Sequence, residues 1–163
     1  MISVKQAQAI ILKNISPLKR VEFSKIDSCL GRICALDIKS KENIPPFNNS
    51  AMDGFAIRAK DSFGASRENP KIFNVIEDLP AGYTATKIIK PHQAIRIMTG
   101  APLPKGTDSV IMVEDTEKVT RSLGQQVTSK EFIQILKEVK PGENVRYAGE
   151  DVKKGEVVIK KGA

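Results

Sequence analysis

The feature that most constrains this chain is an abrupt change of hydrophobic period at Ile44-Pro45-Pro46. Upstream, Ser3-Val4-Lys5-Gln6 has the spacing of a capping box, in which the Ser and Gln side chains satisfy backbone N–H groups at a helix start. Val4, Ala7, Ile10, Ile11 and Ile15 then recur on one helical face, predicting a helix that ends before Pro17. A second short helix is expected over Asp27 to Cys34, although Gly31 costs it about 1 kcal/mol. Two consecutive prolines then stop regular structure, since each fixes φ and removes a donor. Downstream, short runs with period-2 alternation are separated by Gly, Pro, Asn and Asp. They predict strands over Phe55 to Ala59, Ile72 to Ile76, Ala94 to Met98, Ser109 to Val113, Phe132 to Val139 and Glu156 to Ile159. The polar stretch Thr116 to Lys130 reads as a hairpin region turning at Gly124, and no internal repeat is evident. The expected class is α+β, predominantly β, with an N-terminal helical arm.

A chain of 163 residues has material for one ordinary domain or two small ones. With 40% hydrophobic and 28% charged residues it is near globular averages, which argues against global disorder. The formal charge of +7 favours anionic partners. Part of it is local, in Lys13, Lys19 and Arg20 and in Lys153, Lys154, Lys160 and Lys161, and reads as a solvated basic surface. There is no Trp and aromatics are 5%, so base stacking has no platform and nucleic acid is not an expected partner. Cys29 and Cys34 make no disulfide framework and, with the single His92, no zinc set, so both are expected to be buried, reduced thiols. The start Met1-Ile2-Ser3-Val4 lacks a basic n-region followed by an apolar h-region, and no apolar run approaches the ~18 residues of a membrane span. A cytoplasmic location is expected.

Three stretches concentrate hydrogen-bonding and turn residues. Pro45-Pro46-Phe47-Asn48-Asn49-Ser50-Ala51-Met52-Asp53-Gly54-Phe55-Ala56 ends in an Asp-Gly pair that can turn tightly and present a carboxylate to Mg²⁺, water or a hydroxyl. In Arg96-Ile97-Met98-Thr99-Gly100-Ala101-Pro102-Leu103-Pro104-Lys105-Gly106-Thr107-Asp108 a strand delivers Thr99 into a Gly/Pro loop suited to an oxyanion. Pro141-Gly142-Glu143-Asn144-Val145-Arg146-Tyr147-Ala148-Gly149-Glu150-Asp151 ends in two acids after a glycine. Taken singly, each stretch reads as an ordinary turn or strand-exit loop. No side chain has an identifiable triad partner, so nucleophilic catalysis has no support.

Together and in order, the three resemble the MoeA/gephyrin family of molybdopterin molybdenumtransferases. The first is similar to P-P-F-D-N-S-A-M-D-G-Y-A, the second to R-I-M-T-G-A-P-L-P-x-G-A-D, and the third to G-E-N-x-R-x-x-G-E-D. The resemblance spans about Leu30 to Gly162. Two positions depart from it: Asn48 stands where the pattern usually has Asp, and Phe55 where it has Tyr.

The resemblance implies insertion of molybdate into adenylylated molybdopterin with release of AMP and with Mg²⁺ as cofactor. It implies irregular, coiled β-sheets and two subdomains: a discontinuous first domain from residues 1–44 and 143–163, and an inserted β-rich domain from 45–142. It places Asp53, Thr99 and Asp151 in the catalytic cleft, with Asp53 and Asp151 as metal ligands. Asn49, Ser50, Gly100, Arg58, Arg96 and Arg146 are the implied substrate contacts. A homodimer and other molybdenum cofactor biosynthesis proteins are the implied partners, and a gephyrin-like scaffold without catalysis is the alternative. Further domains, including the molybdopterin-binding one, would follow Ala163, so this chain is expected to be inactive alone. The helix face carrying Ile10, Ile11 and Ile15 would then lie exposed.

Overall fold

The computed structural model describes residues 1–16, 18–119 and 131–163, and its chain divides into two units. One comprises Met1–Ile38 and Ile159–Ala163, the other Lys39–Val158.

The smaller unit contains helix α1 (Val4–Asn14). The predicted capping box is formed: Gln6 N–H donates to Ser3 Oγ at 3.3 Å, and Ser3 N–H to Gln6 Oε1 at 2.9 Å. Lys13 in the last turn complements the negative end of the helix dipole. No residue of α1 is buried, and Val4, Ile10, Ile11 and Ile15 all lie on the surface of the single chain. The expected second helix is reduced to one 3-10 turn, Ile26–Ser28. Gly31, with φ of 77°, takes the chain into the left-handed region instead of continuing it. The two cysteines are free as expected but not buried: Cys29 is exposed and Cys34 half-buried. The reason is that this short segment is tied by backbone bonds, such as Cys34 N–H to Ala163 O and Gly162 N–H to Cys34 O, without an apolar core to receive a thiol.

The larger unit carries the β structure, as the period-2 runs predict. Its strands are β2 (Asn49–Ser50), β3 (Gly54–Ile57), β4 (Lys71–Leu79), β5 (Gln93–Ile97), β6 (Ser109–Met112), β7 (Thr116–Lys118), β8 (Glu131–Ile135) and β9 (Val145–Arg146). Strands β1 (Ile38–Lys39) and β10 (Val157–Ile159) lie where the chain passes from one unit to the other. Among the described residues six strands form one mixed sheet in the order β6-β3-β5-β4-β8-β7. All neighbours are antiparallel except β4 and β5, which run parallel. The β4–β5 register slips between Val75 and Glu77, the kind of irregularity that increases local twist and curls a sheet.

Both faces of this sheet are covered, and strand β3 is buried at all four residues. On one face Phe55, Ile57, Phe73, Ala94, Ile111, Ile133 and Ile135 pack together. On the other are Ala56, Leu79, Ile95, Ile97, Ala101 and Val110. The core is therefore aliphatic with two phenylalanines, as the scarcity of aromatics requires.

Several predicted strand ends move for local reasons. The run read as Phe55 to Ala59 is β3 from Gly54 to Ile57, because Asp108 Oδ1 captures the Ala59 N–H at 2.7 Å and starts a 3-10 turn. The run Phe132 to Val139 stops at Ile135, where the Leu136 N–H turns to Asp115 O and the Val139 N–H to Ser62 Oγ. β4 extends past Ile76 to Leu79. The expected turn at Gly124 lies outside the described residues, whereas the antiparallel pairing of β7 with β8 on either side of it is formed. Finally, β6 is covered on its outer side by the turn before β9: Val110 N–H donates to Glu143 O, and Asn144 Nδ2 donates to Val110 O.

Candidate functional site

The three stretches singled out in the sequence interlock within the larger unit. β2 pairs with β9, setting Asn49 opposite Arg146 and Ser50 opposite Val145. Ser50 N–H donates to Ala101 O at 3.1 Å, and Gly100 N–H to Ser50 O at 2.8 Å. Ala51 N–H donates to Asn144 O, Gly149 N–H to Pro45 O and Asp151 N–H to Ile44 O, each at 2.9 Å. The first stretch is thus the middle member, hydrogen-bonded to the second and the third.

Asp53 sits on an exposed bend just before β3, and Gly54 is the first strand residue rather than part of a tight turn. Glycine is required there by close approach, since a Cβ at Gly54 would lie 2.0 Å from Ile111 O. Thr99 leaves β5 opposite, and Gly100, with φ of 82°, turns the chain back. Both Thr99 donors converge on one carboxylate oxygen: its N–H reaches Asp53 Oδ1 at 2.7 Å and its hydroxyl at 2.8 Å. Asp53 Oδ2 has no hydrogen-bond partner among the described residues.

The backbone N–H of Thr99, then its hydroxyl, and then the charge of Arg96 together hold the Asp53 carboxyl below its ordinary range. Asp53 is therefore ionised at neutral pH and well into acid, with its free oxygen available to a cation or a polar hydrogen. A group depressed in this way favours the folded state above its unfolded value and loses that contribution as pH falls through its folded value. Carboxyl-detected NMR titration of the chain is expected to place Asp53 below the ordinary aspartate range, and Thr99→Val to move it part of the way back upward. An unmoved Asp53 in that variant would show that the Thr99 hydroxyl does not contribute and that the backbone N–H carries the depression.

A cavity of about 130 Å³ opens beside this carboxylate. Asp53 and Arg96 give it one negative and one positive group, and Phe55, Ile97, Met98 and Val113 give it apolar walls. Arg146 and Asp151 form an exposed ion pair with each other on the third stretch. For Asp151 to serve a metal, Arg146 would have to release it.

The remaining sequence-derived candidates build the loops. Asn49 and Ser50 are buried, and the Ser50 hydroxyl donates to Met52 O while accepting from Met52 N–H. Arg58 is held at the end of β3 by a two-pronged pair with Asp61, at 2.8 and 2.7 Å. Burial pushes the Asp61 carboxyl up, but the Arg58 fork and the His92 N–H more than offset it, leaving a net depression. Sequence reasoning marked Asn48 only as a departure from the motif and missed its role as acceptor of the Ala148 N–H at 2.9 Å; it missed Asn144, which takes a left-handed φ of 57° between the first stretch and β6. The signal for Asn144 was present in Gly142-Glu143-Asn144, since Asn tolerates that region better than most residues.

Among the described residues no three His, Cys, Asp or Glu side chains gather as a metal cage. Mg²⁺ does not need one, because it keeps several waters and is commonly held by one or two carboxylates plus substrate phosphates. The free oxygen of Asp53 fits that mode. No helix of the described residues is long and apolar enough to cross a membrane.

A family model described as the MoeA N-terminal region (domain I and II) matches residues 2–163. The chain is similar to a molybdopterin molybdenumtransferase of Staphylococcus epidermidis, at 43% identity over 161 residues, covering 99% of this chain and 36% of the relative. It is 40% identical over 141 residues to the one of Bacillus subtilis, covering 86% of this chain and 31% of the relative. Among solved structures it is similar to the molybdopterin biosynthesis moeA protein from Pyrococcus horikoshii OT3, with a TM-score of 0.85 and 38% identity over 96% of this chain and 39% of that one. The chain thus spans about a third of the length of the relatives it matches.

Proposed function

The chain belongs to the MoeA N-terminal family, and from that premise we propose that it supplies one wall of the site where molybdate is inserted into adenylylated molybdopterin and AMP is released. The observation that carries this reading is the Asp53 carboxylate, fixed through Oδ1 by Thr99, with Oδ2 free and Arg96 beside it. Adenylate, pterin phosphate and molybdate are all anionic, so a site for them must combine a held cation with basic groups.

Asp53 is assigned the Mg²⁺ ligand, with Asp151 contributing once Arg146 turns to the substrate. When bound, Mg²⁺ would neutralise phosphate charge at the adenylate. Thr99 holds the carboxylate in one rotamer and in its ionised form, so the cation-binding oxygen is presented without rearrangement. Arg96 and Arg146 draw the anionic substrate in, and Gly100 lets the backbone turn close beside it. Asn49 and Ser50 support these groups from below, and Arg58 fixes the end of β3. The apolar face of α1, exposed on the single chain, fits a homodimer interface. Transient contact with other molybdenum cofactor biosynthesis proteins and a cytoplasmic location belong to the same reading.

The test is Asp53→Ala in the intact enzyme, assayed for product cofactor and AMP. Formation is expected to fall by about a hundredfold or more, the loss typical of removing a positioned charge from such a site, while the thermal midpoint stays within a few degrees. Product formation near the unsubstituted rate would remove Asp53 from the mechanism.

A further inference from the structure

Asn48 occupies a position that neither the catalytic assignment nor the core accounts for. Its backbone O accepts the Leu103 N–H at 2.9 Å, and its side-chain Oδ1 accepts the Ala148 N–H at 2.9 Å. One residue of the first stretch is thereby fastened to the loop that follows Thr99 and to the loop between Arg146 and Asp151. The other ties between the first and third stretches and their flanking residues run backbone to backbone, through the β2–β9 pairing, from Gly149, Asp151 and Val152 to Pro45 and Ile44, and from Ala51 to Asn144. Among the described residues Asn48 Oδ1 makes the one side-chain hydrogen bond between residues 45–56 and residues 144–151.

We propose that Asn48 is a positioning residue, whose carboxamide oxygen sets the loop carrying Arg146 and Asp151 in register with Asp53. This rests on the function proposed above. The chemistry asks only for an acceptor lone pair facing the Ala148 N–H, which an amide oxygen and a carboxylate both supply. Asn at a position where the motif usually has Asp therefore keeps the tie. What changes is the second atom of the group, which becomes a neutral NH₂ donor in place of an oxygen sharing a negative charge.

The experiment compares Asn48→Ala, Asn48→Asp and Asp53→Ala in the intact enzyme, with amide hydrogen exchange at Ala148 measured alongside steady-state kinetics. Asn48→Ala is expected to speed Ala148 exchange and lower kcat about tenfold or more with KM within about twofold, because misplaced groups cost the chemical step rather than uniform binding. Asn48→Asp is expected to restore slow exchange and a kcat within about twofold of the unsubstituted enzyme. A general loss of fold would depress both variants alike, so rescue by Asn48→Asp separates positioning from stability. If Asp53→Ala is inactive while Asn48→Ala keeps its kcat, the positioning role falls and the site stands. If Asn48→Asp is as impaired as Asn48→Ala, the acceptor assignment falls. An active Asp53→Ala overturns the site and the positioning role with it.

Discussion

Gly54→Ala is expected to destabilise the larger unit by more than about 4 kcal/mol, at the extreme of single-substitution effects. An added Cβ would meet Ile111 O at 2.0 Å, its carbonyl carbon at 2.9 Å and Met112 Cα at 3.1 Å, all backbone atoms that cannot swing aside. Relief requires β3 and β6 to separate, and β3 is an inner strand whose every residue is buried. Against a typical domain stability of about 5–15 kcal/mol, such a loss leaves a small margin. Urea unfolding followed by far-ultraviolet circular dichroism measures it. An unfolding free energy lowered by less than about 1 kcal/mol would mean that the β3–β6 contact is not as close as described. The same substitution would displace Asp53, the preceding residue, so activity should fall with the fold.

Phe73→Ala is expected to cost about 3–5 kcal/mol, combining lost transfer energy with the cavity left behind. Phe73 is fully buried in β4 among Ile57, Ile111, Ile133 and Ile135, and its ring meets His92 edge-on at 5.6 Å between centroids. Its neighbour Ile72 points to the opposite face and is 45% exposed, so Ile72→Ala should cost about 1 kcal/mol or less and serves as the internal control. Equal effects of the two would contradict the assigned register of β4.

How much of this was legible beforehand depended on the range of the interactions involved. α1 was readable because its capping box and its 3.6-residue period are local, and the strands because alternation reports which side chains go inward. The break at Asp27 to Cys34 was half legible: Gly31 marked the weak point, but only the backbone shows that the chain turns left-handed there. The cysteines were misjudged because a thiol's burial depends on what surrounds it, and composition is silent on that. At the site, the order of the three stretches made Asp53, Thr99 and Asp151 conspicuous. That Thr99 gives both its donors to one oxygen of Asp53 could not be read, since it depends on the pairing of β3 with β5. Asn48 stood out only as a departure from the motif, because spelling records the missing charge and not the surviving acceptor.

The turn that covers β6 has a bearing on solubility as well. An uncovered outer strand offers its amides and carbonyls as a template on which another chain can build, the usual route from a native sheet to an aggregate. Here Glu143 and Asn144 occupy the backbone of Val110, so the template is closed by the segment that leads into Arg146 and Asp151. A change that loosened this segment for the sake of catalysis would at the same time unmask the sheet. On the proposed function, substitutions in these few residues are therefore expected to affect the reaction and resistance to self-association together.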